Sequence, residues 1–229
     1  MASTFLLSRR GYEPLPRLLH TSSRIGSRLL IHSGVTKDNS VKNKQRIASL
    51  IEIFDSHTKL WKQKKVTGET PVPGICSAAS ASINDDLFTF GGHDGSKYYN
   101  TLHKLKDTSQ WLELCPQNKR EDSPMAKIGA GMVAFGDSLV VMGGYGIPHG
   151  PIQPGSSFIR DTRRDDGRGW TNEFHTYNLM DGAFTAAIYV QKGLVHVFWF
   201  LFKENCVLLY TNSFCSLQRI YCSTHCSFN

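Results

Sequence analysis

A glycine pair that returns after 52 residues is the feature that most constrains the fold. Gly91-Gly92 ends the apolar stretch "DDLFTF", Gly143-Gly144 ends "DSLVVM", and Ser33-Gly34 holds the same place after "SRLLIH". Small residues precede each copy, as in "ICSAASASIN", and two tryptophans 50 residues apart, Trp61 and Trp111, follow the first two copies. Self-similarity at a fixed period of this length indicates a repeat architecture.

Each unit has the pattern expected of a propeller blade, which is a sheet of four antiparallel strands. The innermost strand lines a crowded channel and needs small residues, so we expect inner strands at 76–82 and 128–134. The next strand is apolar because blades pack against both its faces, and residues without a Cβ then let the chain turn. We place Trp61 and Trp111 on outer strands, where they pack against a neighbouring blade.

These units resemble the kelch-repeat β-propeller family. The resemblance implies an all-β fold, a partial kelch-type propeller of about three four-stranded blades. Blade 1 spans residues 16–66, blade 2 spans 71–118, and blade 3 spans 124–180 with a long insert at 146–169. Propellers generally need four or more blades to close, so three copies leave the ring open.

The two ends of the chain lack the repeat. Residues 1–15 form an N-terminal segment whose Arg, Ser and Leu content resembles a mitochondrial presequence, although we favour a folded unit that starts at Pro16. Residues 181–229 form an atypical tail rich in Cys and aromatic residues, without a glycine pair. No outer strand with a tryptophan is evident after Leu179, so this tail is either a degraded blade or an unrelated or truncated end.

Charge is unevenly distributed along the 229 residues. The net charge is +7, and residues 1–67 contribute +9 while the remainder contributes −2. A basic segment can attract nucleic acid or a membrane surface, but no nucleic-acid-binding motif accompanies it, which favours a solvated face. No uninterrupted run of about 20 apolar residues occurs, so we expect no membrane partner. We expect a cytoplasmic or nuclear protein, with a mitochondrial location as the alternative.

The residues that could carry chemistry do not form a catalytic pattern. No Ser–His–Asp or Cys–His arrangement stands out, and Cys222, His225 and Cys226 do not have the spacing of a zinc knuckle. We therefore expect no catalytic residues, no metal, no cofactor and no enzymatic activity. The remaining classes are a protein-binding module that captures a peptide, and a structural or cytoskeletal kelch scaffold.

The third unit carries the candidate site. Tyr145 directly follows the glycine pair, and Trp170 ends the insert that begins beside it. The order "GGYG", long insert, "RGW" is similar to kelch proteins that serve as substrate receptors of cullin-RING ubiquitin ligases. That resemblance implies that Tyr145 and Trp170, with His93 as a weaker candidate, bind a peptide that ends in glycine. It also implies a cullin-ligase adaptor as a partner, although the chain shows no clear adaptor-binding segment.

Two departures from the family pattern affect this site. Val35 stands in the first blade where the family places another tyrosine at the mouth of the channel. The basic residues that would meet a carboxylate come from later blades in the family. The insert offers four arginines as substitutes, although the sequence positions none of them: Arg160, Arg163, Arg164 and Arg168.

Overall fold

The computed structural model describes residues 12–38, 40–114, 123–152 and 156–186. Within these ranges the chain forms β-strands and a single short α-helix, and no helix is long and apolar enough to cross a membrane. The predicted all-β fold of four-stranded antiparallel sheets is confirmed. Predictions for residues 1–11 and 187–229, which include most of the tail, lie outside the described residues.

The first blade is a meander of four antiparallel strands. Its strands are β1 (Thr21–Ile25), β2 (Arg28–His32), β3 (Leu50–Asp55) and β4 (Leu60–Lys65), which pair in that order. Helix α1 (Val41–Ala48) connects β2 to β3, and Ser40 caps its N-terminus because its side chain accepts a hydrogen bond from the Asn43 backbone N–H.

The second blade repeats this sheet and adds a strand at its outer edge. The link between the blades forms β5 (Thr67–Gly68), which pairs in parallel with the outermost strand of the blade. That blade consists of β6 (Ala79–Ile83), β7 (Asp86–Phe90), β8 (Leu102–Lys106) and β9 (Gln110–Leu114).

From residue 126 onward the chain builds two sheets that alternate along the sequence. These are the third blade and a separate insert sheet. Their strands, in chain order, are β10 (Ala126–Ile128), β11 (Gly131–Phe135), β12 (Ser138–Met142), β13 (Tyr145–Ile147), β14 (Phe158–Arg160), β15 (Gly169–Thr171), β16 (Phe174–Asn178) and β17 (Ala183–Ala186). The blade has the order β11-β12-β16-β17, and the insert sheet has the order β10-β13-β15-β14.

The third blade has an outer strand, so the prediction that this strand is missing after Leu179 was wrong. Strand β17 pairs with β16 and lies inside the segment that the sequence assigned to the tail. Phe184 on β17 is 3% exposed and joins the core between the second and third blades. The aromatic ring that covers this blade is therefore a phenylalanine, whereas the outer strands of the first two blades carry a tryptophan.

The predicted inner and outer strands lie close to their expected places. Trp61 and Trp111 are on the outer strands β4 and β9, and Trp111 lies fully buried between the first two blades. The inner strands β6 and β11 each begin three residues later than the predicted ranges of 76–82 and 128–134. Serines explain part of the small-residue content of β6, because Ser80 Oγ accepts a hydrogen bond from Ser23 Oγ of the preceding blade at 2.9 Å.

The glycine pair does more than turn the chain. Gly91 and Gly92 have φ angles of 70° and 97°, and a Cβ at Gly92 would lie 2.8 Å from the Ile75 side chain. The N–H of Gly92 donates to the carbonyl of Lys127, at the start of the third unit, at 2.9 Å. The pair is thus required by its backbone conformation, and Gly91 also by the close approach of the third unit, because a Cβ there would lie 2.6 Å from the Lys127 carbonyl oxygen.

Candidate functional site

The insert sheet brings Tyr145 and Trp170 side by side. They are direct cross-strand partners on β13 and β15. The Thr171 N–H donates to the Gly144 carbonyl at 3.0 Å, and this bond makes the Tyr145–Trp170 pair the non-hydrogen-bonded type, in which side chains come closest. Their ring centroids are 5.2 Å apart at an interplanar angle of 62°. Trp170 is 44% exposed, so the pair presents an accessible aromatic surface.

A tyrosine from the second blade joins this pair to His93. The Tyr98 ring centroid lies 6.3 Å from that of Tyr145 and 5.6 Å from that of His93. The three predicted site residues therefore lie along one row of rings, and Tyr98 is the member that the sequence did not suggest. The position of Tyr98 in the loop after Gly91-Gly92 could have predicted its place in the site, since the loops that follow the glycine pairs gather at one end of the blades.

Two arginines of the insert flank these rings. The Arg168 guanidinium lies 4.2 Å from the Tyr98 ring centroid, and that of Arg163 lies 5.6 Å from the Trp170 centroid. Both distances are within the range of cation–π contact. We call the six side chains the mouth cluster: His93, Tyr98, Tyr145, Arg163, Arg168 and Trp170.

Asp161 links Tyr145 to Arg163. The Tyr145 hydroxyl donates to Asp161 Oδ2 at 3.1 Å, and Arg163 Nε pairs with Asp161 Oδ1 at 3.0 Å. Burial and then this hydrogen bond raise the pKa of Tyr145, while the hydrogen bond from Arg163 lowers the pKa of Asp161. The tyrosine therefore stays neutral and the aspartate stays ionised at neutral pH.

The other two arginines proposed from the sequence lie elsewhere. Arg164 pairs with Asp166 at 3.0 Å and is exposed, and Arg160 lies on strand β14. Neither has a ring contact with the mouth cluster in the described part of the chain.

His93 serves mainly as an anchor. Its Nδ1 accepts a hydrogen bond from the Gly95 N–H at 3.1 Å, which leaves Nε2 to carry the proton 3.1 Å from Cys76 Sγ. Burial, and the nearby Arg168 charge, lower the pKa of His93, so the ring is neutral at pH 7. Both ring nitrogens are engaged, and His93 contributes its ring face rather than a free donor to the cluster.

A buried ion pair anchors β10, the strand that pairs with the Tyr145 strand β13. Lys127 Nζ lies 3.1 Å from Glu173 Oε2, with the lysine side chain fully buried and the glutamate 9% exposed. The Lys127 backbone also binds the second blade, because its N–H donates to the Tyr99 carbonyl at 3.1 Å. This pair therefore fixes the insert sheet against both blades.

The chemical groups of the mouth cluster suit binding. Aromatic faces, a hydroxyl and two guanidinium groups can grip apolar and anionic parts of a ligand. Within the described residues, no group of three or more His, Cys, Asp or Glu side chains is arranged to hold a metal ion.

Known proteins with similar sequences share this architecture. Residues 6–192 match the KLHDC2/KLHL20/DRC7 Kelch-repeats domain. Kelch domain-containing protein 10 of Bos taurus is 27% identical over 176 residues, which cover 74% of this chain and 34% of that protein. Kelch domain-containing protein 2 of Bos taurus is 38% identical over 68 residues, which cover 29% of this chain and 16% of that protein.

A solved structure shows the same fold. The protein of the "Structure of YjhT" superimposes with a TM-score of 0.54 at 16% identity, over 80% of this chain and 58% of that one. At this sequence identity, the similarity supports a shared fold and no shared function. The chain spans about a third or less of the length of the two curated relatives.

Proposed function

Because the chain belongs to the kelch-repeat β-propeller family, we propose that it is a non-enzymatic protein-binding module that holds a peptide at the mouth cluster. The observation that carries the proposal is the convergence of Tyr98 from the second blade and of Tyr145 and Trp170 from the insert sheet onto one accessible surface. Aromatic side chains with polar edges dominate the binding energy of protein interfaces, because they bury large areas and still satisfy hydrogen bonds.

The finer proposal concerns the ligand. Arg163, which pairs with Asp161, and Arg168, which pairs with Asp166, lie against the rings of the cluster and place guanidinium groups beside an aromatic surface. Guanidinium groups are well suited to a carboxylate, and the cluster would accommodate the chain terminus of a peptide. Together with the resemblance of the third blade, this supports a peptide that ends in glycine, bound by a substrate receptor that acts through a cullin-ligase adaptor.

The proposal is tested with fluorescent peptides that end in glycine, titrated against the wild type and two variants. Tyr145→Ala and Trp170→Ala are each expected to weaken binding about thirtyfold, the effect of removing a central aromatic contact. Phe135→Ala is the control. Phe135 is 58% exposed on the same blade, at the opposite end of its strands from the glycine pair, so its removal should leave affinity unchanged.

Two results would count against the proposal at different levels. Equal binding by all four proteins would remove the mouth cluster from the site. Equal binding of a peptide and its C-terminal amide would leave the binding module in place and reject the carboxylate as the recognised group.

A further inference from the structure

Strand β14 is an edge of the insert sheet with unpaired backbone groups. It pairs with β15 on one side, and the described residues place no strand on its other side. The Asp161 N–H donates to the Arg168 carbonyl at 2.8 Å, and the Asn172 N–H donates to the Ser157 carbonyl at 3.2 Å. Hydrogen-bonded pairs alternate along antiparallel strands, so the N–H and C=O groups of Phe158 and Arg160 point away from the sheet.

The side chains beside this edge continue the surface of the mouth cluster. Ile159 is the cross-strand partner of Trp170, which is itself the partner of Tyr145, so the three side chains share one face of the insert sheet. Ile159 is 55% exposed and Trp170 is 44% exposed. Arg160 belongs to the opposite face, because neighbouring side chains alternate along a strand.

The outer edges of the first two blades are protected in ways that β14 is not. Strand β4 carries Lys62, Lys64 and Lys65, and strand β9 is covered by β5. Lysines and added strands are common means of blocking unwanted strand pairing. On β14 the exposed isoleucine and the outward backbone groups instead favour an added strand.

We propose that an extended peptide segment pairs with β14 as an additional strand of the insert sheet. This inference rests on the proposed function, because the segment is the upstream part of the same peptide whose end lies at the mouth cluster. Strand addition of this kind draws affinity from main-chain hydrogen bonds and specificity from alternate side chains.

The two faces of the edge define the chemistry of that segment. Residues on the face of Ile159 and Trp170 meet apolar surface, so they are apolar. Residues on the opposite face meet Phe158 and Arg160; Arg160 is exposed and has no carboxylate in ion-pair distance among the described residues, so the residue beside it is acidic. The partner segment therefore alternates apolar and acidic residues.

A proline at residue 160 tests this pairing selectively. Because the Arg160 N–H points outward, Arg160→Pro removes a donor for an added strand and keeps every bond between β14 and β15. Two fluorescent probes are compared: a short peptide of four residues ending in glycine, and the same peptide extended upstream by eight residues that alternate Leu and Glu. Arg160→Pro is expected to weaken binding of the extended probe about tenfold and to leave the short probe unchanged.

The matched control is Arg160→Ala, which removes the charge and retains the backbone N–H. It should weaken the extended probe by about threefold, less than the proline. If Arg160→Pro binds the extended probe as the wild type does, strand addition is overturned, and the proposed function stands if Tyr145→Ala still loses both probes. If Tyr145→Ala binds both probes normally, the proposed function fails instead.

Discussion

Replacing Lys127 by Met is expected to lower the free energy of unfolding by about 3–5 kcal/mol, because it breaks a buried ion pair by removing one partner. Lys127 Nζ lies 3.1 Å from Glu173 Oε2. Methionine retains most of the side-chain volume, so the main loss is the partner of a glutamate that is 9% exposed. Urea denaturation followed by circular dichroism measures the change.

The partly exposed pair between Lys104 and Asp86 is a matched control. Its N–O distance is 2.7 Å, and its side chains are 27% and 24% exposed. Lys104→Met should cost about 1 kcal/mol or less, because both side chains of this pair keep contact with water, which weakens their attraction. The double variant Lys127→Met with Glu173→Met should recover most of the loss, since no charge is then left buried alone. Equal costs for Lys127→Met and Lys104→Met would contradict the assignment of a buried pair.

The repeat made the fold predictable from the sequence. Each blade is a local unit, so small residues, an apolar strand and a turn with glycine recur in all three copies, and a tryptophan follows in the first two. The repeat pattern did not predict the outer strand of the third blade. Phe184 fills the core as Trp111 does, and both are buried, but a lone phenylalanine after a turn has no distinctive spacing.

The candidate site was predictable only where chain neighbours fixed it. Tyr145 follows a glycine pair and Trp170 ends the insert, so their order along one blade suggested their proximity. The contribution of Tyr98 depends on how the second blade packs on the third. The positions of Arg163 and Arg168 depend on the strand register of the insert. Local sequence patterns predict neither the contribution of Tyr98 nor the arginine positions, because both arise from contacts between residues far apart in the chain.

Acidification from pH 7.5 to pH 5 is expected to destabilise the protein steeply, because three buried histidines are neutral in the folded state. Burial lowers the pKa of His32 to about 3, of His103 to about 4 and of His175 to about 3. In the unfolded chain the same imidazoles have the ordinary pKa of about 6.5. The unfolded state therefore binds more protons below pH 6.5, and stability falls as the pH decreases towards the folded-state values.

The size of the slope follows from the number of groups. Each histidine that is protonated only on unfolding contributes up to about 1.4 kcal/mol per pH unit, so the three together give up to about 4 kcal/mol per pH unit. Urea denaturation at pH 7.5, 6.5 and 5.5 measures this slope. This pH range lies above the ordinary pKa of carboxyl groups, so protonation of the histidines dominates the change in stability across it.

A variant and its control assign the effect to named residues. His175→Phe keeps an aromatic ring against Phe184, whose centroid lies 6.4 Å from that of His175, and removes the titrating group. Its stability should fall with pH less steeply than that of the wild type, by up to about one third, whatever its stability at pH 7.5. His57→Gln changes an exposed histidine in the turn after β3 and should leave the slope unchanged. A slope that stays the same in His175→Phe would show that this imidazole is already protonated in the folded protein or does not become protonated on unfolding.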